Sequence, residues 1–349
     1  MSFWCSGQLD LWNSNSIFLG QALTITTDEA QFESGPYIDK ESGTVIAVAA
    51  RVDNRFELAT SLGLSLHDMQ WISDGELVKQ AYLYWGERAC LRIYGQWSFA
   101  AWHPREHKLF IARDHYGATS LYYYVDEQFF IFSSSRQALL KLGLSPVKID
   151  ELFLAEILVS STSCHGERTV HTSIRRLPPA HTITITPDNY NTRQYWFLED
   201  VPVVHFPNRH DYINKFNDIF EEAVRSQLRV PSCDGNANNI AIALSSGLDS
   251  SAVAVTAARI LQEKNKRLNA YTSVPLTAGK PEDSCIYNES PYAEATARFA
   301  GNIDHYSINS ADISPIQAIR RSLQILCEPI HAAGNMFWLL NLYQCAAEH

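Results

Sequence analysis

No stretch of the chain stays apolar over the roughly 18 residues that a membrane span requires, so a spanning role is not expected. The segment from Met1 to Leu11 carries neither the basic nor the apolar part of a secretory leader. Positive charge is scarce: 28 Lys and Arg stand against 38 Asp and Glu, a net charge of −10. That balance argues against grip on a nucleic-acid phosphate backbone, so no nucleic-acid partner is expected. Paired cysteines are missing as well. Cys5, Cys90, Cys164, Cys233, Cys285, Cys327 and Cys345 are scattered singly with no CxxC, and the histidines show no HExxH spacing. The pattern fits reduced thiols in a cytoplasm better than a disulfide framework or a zinc site. His103, His107 and His115 lie close in sequence but read as surface or hydrogen-bonded residues. Also absent are GxxxxGK[ST] and GxGxxG, which removes the usual signals for γ-phosphoryl transfer and dinucleotide binding. No internal repeat or low-complexity tract is present.

What is there is the composition of a globular protein, 46% hydrophobic and 19% charged, in a chain of 349 residues that can hold two cores. The first half reads as strands with short turns: Ser16–Ala22, Thr44–Val52, Trp97–His103, Lys108–Arg113, Leu121–Val125 and Phe129–Ser133. The spacing of the last four predicts antiparallel pairing. Helices are expected over Glu76–Trp85, behind Ser73 and Asp74, and over Arg136–Leu142, stopped by Gly143. A last strand pair, Thr182–Thr186 and Gln194–Phe197, precedes a linker near residues 198–209 that Pro202 and Pro207 punctuate. This is an α+β domain over 1–205.

Over 206–349 the pattern changes. Helix Tyr212–Leu228 leads into the apolar strand Ile240–Leu244, and the order then alternates: helix Ser251–Glu263, strand Leu268–Val274, helix Pro291–Ala300, strand Ile303–Ile308, helix Pro315–Cys327. Ser290-Pro291 and Ser314-Pro315 each read as an N-cap followed by an N1 proline, and Gly301 as a helix stop. Alternation of this kind predicts an α/β domain with a doubly wound parallel sheet whose ligand sits beyond the strand C-termini.

The strongest chemical signal is Ser245-Ser246-Gly247-Leu248-Asp249-Ser250-Ser251, after an apolar strand and at the start of a helix. Backbone N–H groups, the helix dipole and several hydroxyls converge there, which suits a pyrophosphate. Gly247 lets the backbone approach the anion closely, and Asp249 is the candidate ligand for a Mg²⁺ that offsets the phosphate charge. The alternative is a serine-rich helix cap.

This loop resembles that of the asparagine synthetase family, a branch of the PP-loop ATP pyrophosphatases, where it reads SGGLDSS and binds the pyrophosphate of ATP. Here Ser246 replaces a glycine. The resemblance implies that Leu244 and Val274 flank the adenine, though both also suit a core, and that Asp249 serves catalysis through the metal. Asn288-Glu289-Ser290 lies beyond the second strand, where an acidic side chain either reaches Mg²⁺ or substrate or belongs to a solvated loop. The chemistry implied is adenylation: a carboxylate attacks the α-phosphate of ATP, and an amine displaces AMP to form an amide, with the protein supplying position and charge neutralisation.

The resemblance runs over nearly the whole chain. Asp74-Gly75-Glu76, Leu91 to Ala100, Ala112 to Gly117, and Leu121-Tyr122-Tyr123 look like segments of class II glutaminase domains, of the N-terminal-nucleophile type. Such enzymes need a cysteine directly after the initiator methionine, because its freed α-amine is the base for its own thiol. Residue 2 is Ser2, and Cys5 is placed too late. Ala22 stands where the family has an arginine for the glutamine carboxylate, and Ala49-Ala50-Arg51 where it has Asn-Gly-Glu; the Arg-Gly-Pro stretch near the start is missing. Asp74 survives where the family holds the substrate amine, and Arg113 with Asp114 reads as a structural pair. Glutamine hydrolysis is therefore not expected, and the amine comes either from free ammonium or from the substrate itself.

Val52-Asp53-Asn54-Arg55 and Glu328 to Asn335 resemble the lasso peptide macrolactam synthetases more than asparagine synthetase. The leading expectation is an ATP-dependent ligase that closes a macrolactam on a precursor peptide, with a peptide or small carboxylate as substrate and a precursor-processing partner protein. The others are a glutamine-hydrolysing asparagine synthase homologue and a degenerate, non-catalytic scaffold. Family members continue past the point matching His349 with a strand, an SGEGSDE-like loop and a helical region. The chain is thus expected to be a fragment that binds nucleotide poorly and does not turn over alone.

Overall fold

In the computed structural model, residues 8–14, 17–65, 67–144, 146–160, 166–231, 240–276 and 288–348 are described. The expectations on Ser2, Cys5, Cys164, Cys233 and Cys285 fall outside them. The chain divides into two units, Met1–His205 and Phe206–His349.

Strand faces that alternate between two cores build the first unit. Its elements are β1 (Leu9–Ser14), β2 (Ile17–Ala22), β3 (Tyr37–Ile38), β4 (Val45–Val52), α1 (Arg55–Ser61), α2 (Asp74–Trp85), β5 (Gly95–His103), β6 (Lys108–Arg113), β7 (Tyr122–Val125), β8 (Phe130–Ser133), α3 (Arg136–Lys141), α4 (Glu151–Ser160), β9 (Arg175–Arg176), β10 (His181–Ile185) and β11 (Tyr190–Gln194). An antiparallel sheet runs β11-β10-β6-β5-β4-β3. On β5 and β6, Trp97, Phe99, Ala101, Phe110 and Ala112 pack with Leu58, Leu77, Val78 and Ala81 of α1 and α2. The intervening Ala100, Trp102, Leu109 and Ile111 turn to the other face, against Leu19, Tyr123 and Leu177. Both faces are therefore covered, which is why β5 reads as an almost unbroken apolar run rather than an alternating one.

The two hairpins expected in the middle of this unit pair as predicted, β5 with β6 and β7 with β8, but in different sheets: β8-β7-β9 is a separate three-stranded sheet. The expected strand Gln194–Phe197 is corrected to Tyr190–Gln194, in register with His181–Ile185, because a tight turn at Thr186–Asn189 sets where pairing begins. Arg113 and Asp114 are structural, but they do not grip each other directly. Arg113 donates to the carbonyls of Gly117, Thr119 and Leu177, while Asp114 accepts from the N–H groups of Tyr116, Ala118 and Thr119. Each wraps the same turn from one side.

The second unit comprises α5 (Arg209–Gln227), β12 (Ala241–Ala243), α6 (Leu248–Gln262), β13 (Leu268–Val274), α7 (Ser290–Ala300), β14 (Ile303–Asn309), α8 (Pro315–Leu326) and α9 (Met336–Glu348). Three strands pair in parallel in the order β12-β13-β14. Leu268 and Ala270 of β13 face a core with Val224 of α5, Ala254 and Ala258 of α6, and Ala293 of α7. Tyr271, next along the strand, opens on the side where α9 presents Phe337, Trp338 and Leu342. Helices thus lie on both faces, as a doubly wound sheet requires.

Candidate active site

At the carboxyl end of β12, Leu244 is pinned by two bonds to β13 and its neighbour. Its N–H donates to Tyr271 O at 2.9 Å, and its carbonyl accepts from Thr272 Oγ1 at 2.7 Å. The Thr272 hydroxyl has one proton, which goes to that carbonyl. Its 2.7 Å contact with His305 Nε2 must therefore be a bond that His305 donates. His305 therefore carries a proton on Nε2, and burial holds its pKa below the usual histidine value.

Beyond Leu244 the chain turns through Ser245 and Ser246 to Gly247, the N-cap of α6, at φ −69° and ψ 148°. Glycine is not needed here for backbone conformation. A Cβ at this position would stand 3.2 Å from Ser245 Oγ, so the missing side chain matters for space above the loop. The amides of the turn are accounted for one by one. Ser245 N–H donates to Ser250 Oγ at 3.2 Å, Gly247 N–H to Ser245 Oγ at 3.1 Å, and Ser246 N–H to Glu289 Oε2 at 3.3 Å. Ser245 and Ser250 hydroxyls lie 2.9 Å apart. Ser251 Oγ, one turn into α6, is 3.5 Å from Thr296 Oγ1 of α7. Leu248 and Asp249 are exposed in the first helical turn, Leu248 by 88%.

A cavity of about 440 Å³ opens beside this turn. Leu244, Ser245 and Val274 line it, together with Tyr271, Pro275, Glu289, Phe337 and Trp338. Of the residues singled out in the sequence, these first three and Glu289 meet at the cavity; Ser246 reaches it through Glu289. Gly247, Ser250 and Ser251 form the adjoining turn, and Leu248 and Asp249 are exposed and do not line the cavity. Leu244 is also buried in the sheet core, so both readings of that residue hold at once.

Tyr271, Phe337, Trp338 and His305 were not singled out in the sequence, although the apolar run Phe337-Trp338-Leu339-Leu340 near a polar Asn335 was a usable signal for a core-facing helix. Glu289 was named but left open between site and solvated loop. The N-cap of α7 also needs correction: it is Glu289, not Ser290, and Asn288 Oδ1 accepts the Ser290 N–H at 3.0 Å. Ser290 is inside the helix because its hydroxyl, 2.7 Å from Ser307 Oγ, ties α7 to β14 instead. Ser314 caps α8 as expected.

This donor set fits a nucleotide diphosphate end: consecutive amides, a 15-residue helix presenting its N-terminus, and an apolar, aromatic-lined space alongside. For Mg²⁺ the fit is partial but chemically sensible. Among the described residues no cluster of three or more His, Cys, Asp or Glu is present. Asp249 would be a single carboxylate on an ion that takes its other ligands from phosphate and water, as Mg²⁺ commonly does with nucleotides.

In the first unit, Asp74 is buried at the start of α2. Arg55 Nη1 pairs with its Oδ1, and Val52 N–H donates to its Oδ2 at 3.0 Å. Arg55 in turn donates to Ile72 O at 2.7 Å and Met69 O at 3.0 Å. Beside it, Glu33 accepts from Gly75 N–H at 3.1 Å, Gln21 Nε2 at 3.3 Å and Tyr37 Oη at 2.5 Å. Burial raises the pKa of Glu33, against the pull of these bonds. Ala22 points outward, whereas Gln21 beside it faces in and accepts from Val48 N–H at 3.0 Å. His103, in the same unit, is hydrogen-bonded to Tyr82 at 2.7 Å.

Comparison with known families gives two matches: a glutamine amidotransferase domain over residues 6–196 and asparagine synthase over residues 215–349. Among curated relatives, asparagine synthetase [glutamine-hydrolyzing] 3 of Bacillus subtilis is 26% identical over 260 residues, 74% of this chain and 41% of that protein. Amidase chyE of Penicillium rubens is 28% identical over 239 residues, 66% of this chain and 34% of that protein. The chain thus spans less than half the length of these relatives. Among solved structures, the glutamine phosphoribosylpyrophosphate amidotransferase of B. subtilis aligns with a TM-score of 0.35 at 11% identity, over 78% of this chain and 72% of that one.

Proposed function

The chain belongs to the asparagine synthase family, and on that premise we propose that the whole protein is an ATP-dependent amide-forming ligase. The observation that carries this reading is the turn from Leu244 to Ser251: amides and hydroxyls gathered at a helix N-terminus, beside an aromatic-lined cavity at the sheet's carboxyl edge. The pyrophosphate of ATP rests on the turn and the base lies between Leu244 and Val274. Asp249 would hold Mg²⁺, and the ion would supply positive charge against the phosphates. A carboxylate is activated as its acyl-adenylate, and an amine then displaces AMP.

The amine does not come from glutamine in this reading. In a working glutaminase site Asp74 would meet the substrate's α-amine, yet here the Arg55 guanidinium already neutralises it. Free ammonium or an amine of the substrate itself remains, and we take the latter: macrolactam closure on a peptide of the lasso type. The second reading is asparagine synthesis. It is favoured by the relatives named as glutamine-hydrolysing asparagine synthetases. The full-length protein is incubated with Mg²⁺ and ATP, once with aspartate with and without glutamine, and once with a candidate precursor peptide. AMP and product mass are followed. Peptide that loses the mass of one water while AMP appears is the expected result. Asparagine formed only when glutamine is present reverses the order of the two readings.

A further inference from the structure

Of the three consecutive amides at the turn, two are satisfied by neutral hydroxyls, Ser250 Oγ and Ser245 Oγ. The third, Ser246 N–H, donates to a carboxylate, Glu289 Oε2. This bond crosses from the end of β12 to the start of α7, 43 residues along the chain, and Glu289 also forms part of the cavity wall. A negative group thus rests on the turn in the place an anion would take. At 3.3 Å the bond lies at the long end for N–H···O, so it is weak enough to be exchanged. Asn288 and Ser290 fix the start of α7 through bonds of their own, at 3.0 Å and 2.7 Å, so the Glu289 carboxylate is not required to hold the helix in place.

We propose that Glu289 is a specificity residue for the charge state of the nucleotide: it occupies the loop as a resident anion and yields only to phosphates whose charge a divalent cation already offsets. The proposal rests on the reading of this turn as a pyrophosphate site. The physical ground is Coulombic. An uncompensated phosphate oxygen that takes the Ser246 N–H must displace the carboxylate or lie close beside it, and two like charges about 4 Å apart repel by an amount worth at least about fivefold in affinity even in bulk water, and more against protein. A phosphate carrying Mg²⁺ meets much less of that repulsion. The serine hydroxyls on the flanking amides impose no such selection.

The test is calorimetric titration of the full-length protein and of its Glu289→Gln and Glu289→Ala variants. The ligands are ATP with EDTA, ATP with Mg²⁺, and inorganic pyrophosphate with EDTA; thermal melts check folding. Gln keeps an acceptor for Ser246 N–H without the charge. Both variants are expected to bind the metal-free ligands at least about fivefold tighter than the native chain, with a smaller change for the Mg²⁺ complex. Unchanged ratios in a folded Glu289→Gln variant overturn the proposal and leave the nucleotide reading standing. So does weaker binding confined to the Mg²⁺ complex, which makes Glu289 a metal ligand. Absence of binding by any ligand to all three proteins removes the nucleotide reading itself, and the proposal with it.

Discussion

The Glu33 carboxylate is held by Tyr37, Gly75 N–H and Gln21 in surroundings that nevertheless raise its pKa by burial. The sign of the consequence is fixed. A carboxyl whose folded pKa lies above its unfolded one binds more protons when folded. Its contribution to stability is then complete below the unfolded value and is lost as pH rises through the folded value. Glu33→Gln cannot ionise, so its stability relative to the native chain should rise as pH climbs through that window; urea unfolding at a series of pH values measures it, and parallel curves refute it. Asp249 belongs to the same scale. Exposed at the first turn of α6, it carries little packing, so Asp249→Ala should leave the melting temperature within a degree or two while abolishing AMP production by the full-length protein. Asp74 could be spotted in the sequence as a retained residue, but its ion pair could not, because Arg55 reaches it across 19 positions through a fold contact.

Among elements, β5 begins at a position only glycine fills. Gly95 has φ +126°, and a Cβ there would stand 2.2 Å from Arg51 O and 2.9 Å from Asp53 N, backbone atoms that have nowhere to go. Gly95→Ala is therefore expected to cost clearly more than about 1 kcal/mol of unfolding free energy, read from the urea midpoint at constant slope. Elements with strong period or punctuation were legible in the sequence: Ser73 ahead of α2, Ser314 ahead of α8, and the alternation of β12 through β14. Short or low-contrast ones were not. Helix α1 hides in Arg55–Ser61 with no N-cap side-chain bond, and among the described residues β1 pairs with Ile17–Ala22 alone. The misplaced cap at α7 has the same origin: a Ser-Pro pair satisfies the pattern, whereas the fold spends that serine hydroxyl on Ser307.

On the scale of the whole molecule, the chain separates at His205 and Phe206, within a stretch whose residues 198–205 are exposed and whose regular structure is limited to a short 3₁₀ turn, Leu198–Asp200. Exposed backbone outside ladders is where proteases cut first. Limited proteolysis should release fragments that meet within about residues 198–208, identified by mass; a first cut within β5 or β13 contradicts the division. The two units also divide the functional question. The second bears the turn that suits a nucleotide. The first retains the amidotransferase fold while its Asp74 is engaged internally.

The amino-acid sequence alone determined the alternation that makes the second unit a parallel sheet, and the Ser- and Gly-rich turn between an apolar strand and a helix. Both are local: period, propensity and hydrogen-bonding capacity are properties of neighbouring residues. Which charge sits on that turn, which aromatic groups wall the cavity and which cation answers Asp74 were decided only by tertiary structure. Glu289, Trp338 and Arg55 reach their partners across 43, tens and 19 positions respectively, and no local pattern encodes a contact made by folding the chain back on itself.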